Sequence, residues 1–575
     1  MISRSTLQAA SRLSPRMVGY HLKRLARNKL VPRLPDRYAA RIARAADRLP
    51  GLRPAAATGE AALAMAQGVA AFYREEYRHE IDDAARGRFT FFGQSVDFGR
   101  AADIDWHHRI PAEMDFHLWR MKLGHMGFLC PMLTDGGPAH LEAVAEIFAG
   151  YRARARFDQP ECFSSYWFPY SVSHRILALL SGYLIARAAG RLPAPLCAEI
   201  EDFLRWNVAF VEANIEHELK NNHVERNLAA LCFYYSCAQA VPPALARRLD
   251  RDVAGIIRAC ILDDGLLAER SAMYQGLSVM ALQVFAAAPF LTPATRRLAE
   301  TQARKAARAW SFMTHPDGEI ALFNDSWFGE VPPAHAIVAP ARFDPVALLP
   351  QAGYARLEGD GIFALFDAGA IGPRWNPGHG HADFLSIEVD VAGRRFLTDP
   401  GTYQYSTGPR RMFERSAQAH NGPGAAGLEP VSYYGCFRVG QLAEARLLAP
   451  EAPGTRAVAG ELPLPGGGLL RRSLQLLPGA LAISDRWQGR FEAPQLRLSL
   501  PATWQLVERH PQALVFACDG ARAQLSVQAG RIGSIGPGHW ACRYLVDSPA
   551  QIVTLFPEPS AEAARLEWQI AHQPA

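Results

Sequence analysis

Gly378-His379-Gly380-His381-Ala382-Asp383 runs into Phe384-Leu385-Ser386-Ile387-Glu388-Val389-Asp390-Val391, and then into Arg395-Phe396-Leu397-Thr398-Asp399-Pro400-Gly401-Thr402-Tyr403. The second stretch alternates apolar and polar residues, the pattern of a β-strand whose side chains point to opposite faces in turn. Extended backbone through the glycines would place His379 and His381 on one face. Two imidazoles there suit a metal site or a proton-transfer site; they also suit a glycine-rich hairpin with two solvated histidines.

From Tyr354 onward, the same period-two pattern recurs in short segments. They fall at 361–367, 394–398, 431–438, 469–477, 480–487, 495–500, 503–508, 513–518, 522–528, 541–546 and 551–556, punctuated by Gly, Pro and Asp. Many short strands without intervening helices predict an antiparallel β-sandwich. Residues 317–324 also read as a strand. Upstream, apolar residues recur with helical spacing over 141–151, 171–189, 195–219, 223–240, 244–260, 271–289 and 294–313. The links are short and carry breakers, such as Val241-Pro242-Pro243 and Leu291-Thr292-Pro293. Long helices joined in this way are antiparallel neighbours, and a train of such hairpins closes into an α/α toroid or a solenoid. The predicted class is multidomain α+β, an N-terminal (α/α) toroid followed by a C-terminal antiparallel β-sandwich. Residues 1–60 are expected to form a basic helical segment packed on the toroid, with Met17, Leu22, Leu25 and Leu30 as its main apolar residues. The toroid then occupies 61–330 and the sandwich 331–575.

With 575 residues, 49% hydrophobic and 20% charged, the chain has ample material for more than one core. Only five of its 61 basic residues are lysine, so the net charge of +5 reflects arginine-rich composition rather than a nucleic-acid footprint. The nine cysteines are odd in number and include no CxxC pair, which argues against a disulfide framework. No apolar run is long enough for a bilayer span and no secretory h-region is visible. A cytoplasmic location is the expectation, with a periplasmic one as the alternative.

Two polar clusters interrupt the helical half. Asn221-Asn222-His223 stands at a helix start, where an asparagine serves as N-cap, and Asn227 lies one turn further on the same face. Asp263-Asp264-Gly265 precedes Glu269, Arg270 and Tyr274. One turn separates Arg270 from Tyr274, so a cation there would favour the phenolate; the alternative is a tyrosine packed between helices with its hydroxyl bonded. In the β half, His379 and His381 are joined by Asp399 and by Ala419-His420-Asn421, a donor set compatible with Zn²⁺.

Taken in order, these pieces resemble the heparinase II/III family of polysaccharide lyases and its alginate-lyase relatives. The resemblance runs over roughly residues 90–440, through Asn221-Asn222-His223, Glu269-Arg270-Ser271, Tyr274, Gly378-His379-Gly380-His381-Ala382-Asp383, Asp399-Pro400-Gly401-Thr402-Tyr403 and Arg415-Ser416. It implies the toroid-plus-sandwich fold and assigns catalysis to Asn222, His223, Tyr274 and His379. It implies substrate contacts for Asn221, Glu269, Arg270, Tyr405 and Arg415, and a structural zinc on His381, Asp399 and His420, with no organic cofactor. Two departures stand out: extracellular members carry signal peptides, and Ala272 replaces a proline common among relatives.

The chemistry these residues suit is β-elimination on a uronic-acid polysaccharide. Asn222 and His223 neutralise the carboxylate, Tyr274 or a histidine takes the proton, and Tyr274 protonates the leaving oxygen. A uronate C5-epimerase shares the first step. A non-catalytic glycan-binding protein of exopolysaccharide assembly is the alternative outside enzymes. Hydrolysis would need a carboxylate pair, for which Asp263, Asp264 and Glu269 are the candidates. The expected partner is an acidic polysaccharide, in a bacterium that makes an acidic exopolysaccharide, with no nucleic acid.

Overall fold

The computed structural model describes residues 4–159, 161–449, 454–559 and 563–573. It comprises an α/α toroid and an antiparallel β-sandwich, and the chain divides into two compact units that are not contiguous in sequence. One is Leu13–Ile261 with Leu277–Arg304. The other is Met1–Arg12, Leu262–Gly276 and Lys305–Ala575. A single boundary near residue 330 therefore does not describe the chain. The β unit takes in the turn before helix Ala272–Ala287, the first residues of that helix, and the end of helix Pro293–Phe312.

In the helical unit the long helices are Glu60–Tyr77, Pro138–Arg154, Pro169–Ala188, Ala194–Ala213, Asn222–Cys237 and Pro243–Cys260. Prolines read as breakers open several of them, because a first-turn proline gives up no intrahelical hydrogen bond. Helix Pro169–Ala188 is buried almost throughout. Its Arg175 donates to Tyr151 Oη at 2.7 Å, Asn207 Oδ1 at 3.0 Å and Gly124 O at 2.9 Å, so one buried guanidinium ties four helices together. The expected helix 195–219 stops at Ala213, and residues 214–221 form a connecting loop. No helix among the described residues is long and apolar enough to cross a membrane.

The N-terminal segment departs from expectation. It forms three helices, Arg4–Ala10, Pro15–Leu30 and Pro35–Asp47, rather than one. Arg12 donates to Gly440 O within the β unit. Helix Pro15–Leu30 packs through its polar face, where Arg27 donates to Asn214 Oδ1 at 2.9 Å and Arg24 pairs with Glu218 at 3.2 Å. Of its expected apolar anchors only Met17 is buried, whereas Leu22, Leu25 and Leu30 face solvent.

Among the described residues, the β unit contains three antiparallel sheets around one core. The largest runs, along its main path, through Gln505–His510, Ala513–Cys518, Ala521–Ala529, Ala563–Gln573, Ala480–Gln488, Leu469–Leu477, Ala457–Pro463 and Arg446–Leu447. Leu469–Leu477 shows the strand alternation plainly, every second residue being buried. A five-stranded sheet, Val346–Leu349, Tyr354–Gly359, Ile362–Asp367, Ile387–Val391 and Arg394–Leu397, is buried on both faces at its centre. Such burial requires the polar residues of Ile387–Val391 to find partners. Glu388 and Asp390 share His315, whose Nε2 lies 2.7 Å from Glu388 and Nδ1 3.0 Å from Asp390. The expected strands 317–324 and 431–438 are coil, carrying only the lone bridges Thr314–Ile320 and Tyr433–Val439. Instead of joining a ladder, the 315–325 segment is held to the sheet through side chains.

Burial and Arg395 push the His315 imidazole down, but Asp390 and Glu388 outweigh them, so its proton affinity is raised on folding. The resulting stabilisation is full below the ordinary histidine value, about 6.5, and is lost as pH climbs through the raised folded value. His315→Gln should lower stability by about 3–5 kcal/mol, the cost of breaking a buried ionic group. The gap in Tm between wild type and variant should be widest in mildly acidic buffer and close toward alkaline pH. A gap independent of pH would contradict this account.

Candidate active site

Within the β unit, a single carboxylate gathers the residues singled out by the sequence. Asp325 is completely buried. Arg411 grips it with both guanidinium nitrogens, at 2.5 Å to Oδ1 and 2.8 Å to Oδ2. His379 Nδ1 lies 2.9 Å from Oδ2 and His381 Nε2 lies 2.9 Å from Oδ1. Burial alone would raise the carboxyl's pKa, but Arg411 and the two histidines hold it well below the usual range. Asp325 is therefore an acceptor only, and each histidine presents it an N–H. With Nδ1 on Asp325, His379 turns its Nε2 toward Glu269 Oε2, 3.4 Å away.

The loop carrying Asp325 is itself fastened. Asn324 adopts a left-handed backbone, φ 58°, tolerated because its amide bridges three segments. Its side chain accepts from His381 N at 3.0 Å and donates to Arg270 O at 3.2 Å, while its N–H donates to Asp383 Oδ2 at 2.8 Å. Residues 378–383 are not a strand, so the two histidines do not share a face by alternation. They converge because the loop wraps Asp325. Gly380 permits this, since a Cβ there would stand 2.0 Å from Ile371 O.

Tyr274 packs on His379 with ring centroids 4.4 Å apart. Its hydroxyl is 3.0 Å from that of Tyr405. Burial first, and then Asp325, push Tyr405 well above the usual phenol range, so it remains a neutral donor. Tyr274, His379, Tyr405 and Glu269 thus form one cluster.

Other expected contacts resolve differently. Arg270 sits before the helix at φ 59° and spends its guanidinium on Ala352 O and Ala268 O, rather than lying one turn along a helix from the Tyr274 phenol. Arg415 is fully buried and donates to the carbonyls of Gly378, Gly380, Gly435 and Cys436, bracing the histidine loop where substrate contact was expected. Asp264 caps a turn through the N–H groups of Gln351 and Ala352, and Asp263 is exposed, so neither forms a hydrolytic pair with Glu269.

His381, Asp399 and His420 form a second cluster, all buried, with one candidate ligand atom from each within 4.8 Å of the others. His420 Nδ1 lies 2.7 Å from Asp399 Oδ2. His381 Nδ1 and His420 Nε2 are buried without a hydrogen-bond partner among the described residues. Burial holds His420 below its ordinary value and His381 down at about 3, so both carry a lone pair. Asp399 is pushed well above the carboxylate range by burial and then by Glu388. Two orphaned imidazole nitrogens beside a buried carboxyl group are what a divalent cation would satisfy.

The helical unit holds the remaining residues. Asn221 is the N-cap of helix Asn222–Cys237, its Oδ1 accepting from His223 N at 3.1 Å, so its side chain serves the helix rather than a substrate. His223 Nδ1 is 3.1 Å from Glu216, and its ring lies on Tyr170 at 4.3 Å. Asn227 fixes the same loop by accepting from Glu216 N at 2.9 Å. Asn222 is buried at the helix start. Asp325, Arg411, Glu216 and Tyr170 went unforeseen; the polar run Asn324-Asp325-Ser326 after four apolar residues was the available signal for the first.

Residues 342–569 match the family model described as heparinase II/III-like, C-terminal. No curated protein matches the chain by sequence. Among solved structures, a heparinase III is similar over 95% of this chain and 91% of its own, at 15% identity and TM-score 0.64. The heparan sulfate lyase HepC from Pedobacter heparinus is similar over 87% and 83%, at 15% identity and TM-score 0.55. At such identity the likeness is one of fold.

Replacing Asp325 by Asn keeps the shape and removes the charge facing Arg411. The variant should lose about 3–5 kcal/mol of stability, and nitrogen NMR should show the His379 and His381 tautomers mixing. An unchanged Tm with unchanged tautomers would show that the carboxylate is not the brace.

Proposed function

We propose that this chain, whose residues 342–569 match the model described as heparinase II/III-like, C-terminal, is a polysaccharide lyase cleaving a uronic-acid polymer by β-elimination. The observation that carries this reading is the Tyr274–His379 ring contact, with Tyr405 on the Tyr274 hydroxyl and Asp325 orienting the imidazole. The proton on C5 of a uronate is weakly acidic until the adjacent carboxylate is neutralised. In this reading Asn222 and His223 do so by charge-assisted hydrogen bonds, His223 being set by Glu216. Tyr274, or His379 through its Nε2, removes the C5 proton. The C4–O bond breaks, C4 and C5 become doubly bonded, and the Tyr274 hydroxyl delivers a proton to the departing oxygen. Tyr405, kept neutral, donates to the Tyr274 oxygen and stabilises it when charge develops there.

We further propose that His381, Asp399 and His420 hold a zinc ion of structural role. The orphaned nitrogens and the buried carboxylate support a cation at that place. When bound, the ion would supply positive charge among buried carboxylates and tie the histidine loop to the sheet. The purified protein should contain about one equivalent of zinc, and His420→Ala should lose it and melt at lower temperature, since a metal binding only the folded state stabilises it. Wild type without stoichiometric metal would refute the assignment.

Tyr274→Phe tests the catalytic role. Turnover of uronate polymers should fall by at least about 10²-fold, the scale of acid–base catalysis, with Tm and substrate affinity retained. Asn222→Ala should reduce kcat as well as kcat/KM, because carboxylate neutralisation acts at the transition state. Near-native turnover in Tyr274→Phe would overturn the reading.

A further inference from the structure

The mismatch at the N-terminal helix has a functional reading. Between Leu13 and Arg48 stand ten basic and two acidic residues, a net of +8 against +5 for the whole chain, which leaves the remainder at −3. Arg24 and Arg27 are used in packing on the 214–218 loop. The other eight basic residues are exposed. Among the described residues, the ion pairs of this segment do not include them. On helix Pro15–Leu30, Val18, Leu22 and Leu25 fall at i, i+4 and i+7, one outward stripe, exposed by 40, 59 and 50%. Leu30, at the end of the helix, and Leu34, beyond it, are also exposed, by 53 and 51%. A helix that packs by its polar side and shows leucines to the solvent inverts the usual amphipathic arrangement.

We propose that helix Pro15–Leu30 docks on an anionic lipid surface, laying Val18, Leu22 and Leu25 among the acyl chains with Lys23, Lys29 and Arg33 at the headgroup phosphates. Charge complementarity selects an acidic partner, and the leucine stripe selects a lipid one. An acidic polysaccharide would satisfy the cations but offers no apolar phase for three aligned side chains, whereas an interfacial helix needs both features. This inference stands apart from the lyase reading, because it concerns a surface that contains none of the proposed catalytic groups.

Vesicle co-sedimentation of the full chain tests it, using phosphatidylcholine with and without phosphatidylglycerol. Binding should be at least about tenfold tighter with the anionic lipid and weaken in high salt. Leu22→Gln with Leu25→Gln should lose about tenfold in affinity while keeping the wild-type Tm, since both side chains are exposed. Lys23→Glu with Lys29→Glu should lose binding to the anionic vesicles. Equal binding to both vesicle types, or a leucine variant that binds as the wild type does, would overturn the proposal. So would retention on an immobilised polyuronate, insensitive to the leucine changes, in a protein that ignores vesicles. Because every arm reads binding and not cleavage, failure here leaves the lyase reading untouched, and the reverse also holds.

Discussion

The bidentate pair between Arg411 and Asp325 is the constraint on which the rest of the β-unit site depends. An ionised carboxylate with no solvent contact survives only if its oxygens are fully used. Here they are used by a guanidinium and by two histidine N–H groups. That satisfaction has three consequences. It sets which nitrogen of His379 faces Glu269. It turns the opposite nitrogen of His381 toward Asp399 and His420. It also fixes a loop that no β-ladder holds. The proposed proton-handling group and the proposed metal cluster therefore share one electrostatic anchor, His379 on one oxygen of Asp325 and His381 on the other.

Much of the architecture could be read from pattern alone. Helices such as Pro169–Ala188 and Pro243–Cys260 announce themselves by apolar spacing and an opening proline, and strands such as Leu469–Leu477 by clean alternation. Strand Arg531–Arg543 was illegible because Gly533, Gly536, Pro537 and Gly538 read as turn residues, although an antiparallel partner, Val546–Phe556, accommodates them with register shifts. Segment 317–324 alternates like a strand, yet its backbone is held by the Arg395, Glu388 and Asp383 side chains rather than by a ladder. Helix Pro15–Leu30 shows the limit of amphipathic reasoning: spacing identifies a face, not what will cover it.

The site was partly legible. Tyr274, His379 and the His381–Asp399–His420 set follow from ordered motifs, but their mutual geometry depends on Asp325 and Arg411, which carry no local signature. Arg270 and Arg415 look like substrate ligands in sequence, where any arginine near a motif invites that role. In the fold each is buried and satisfies several carbonyl oxygens of irregular loops. Long coil segments packed in an interior need such donors, and arginine, with five, is the side chain that serves many at once.

The central claim is elimination, and its products distinguish it from every other fate of a uronate chain. The decisive measurement is mass spectrometry with ultraviolet absorbance on a panel of uronate polymers incubated with the protein in deuterated water. The account predicts shortened chains whose new ends absorb in the ultraviolet, with fragment masses that add up to the parent without gained water. Full-length chains carrying deuterium at C5, or fragments that have each gained water and do not absorb, would contradict it.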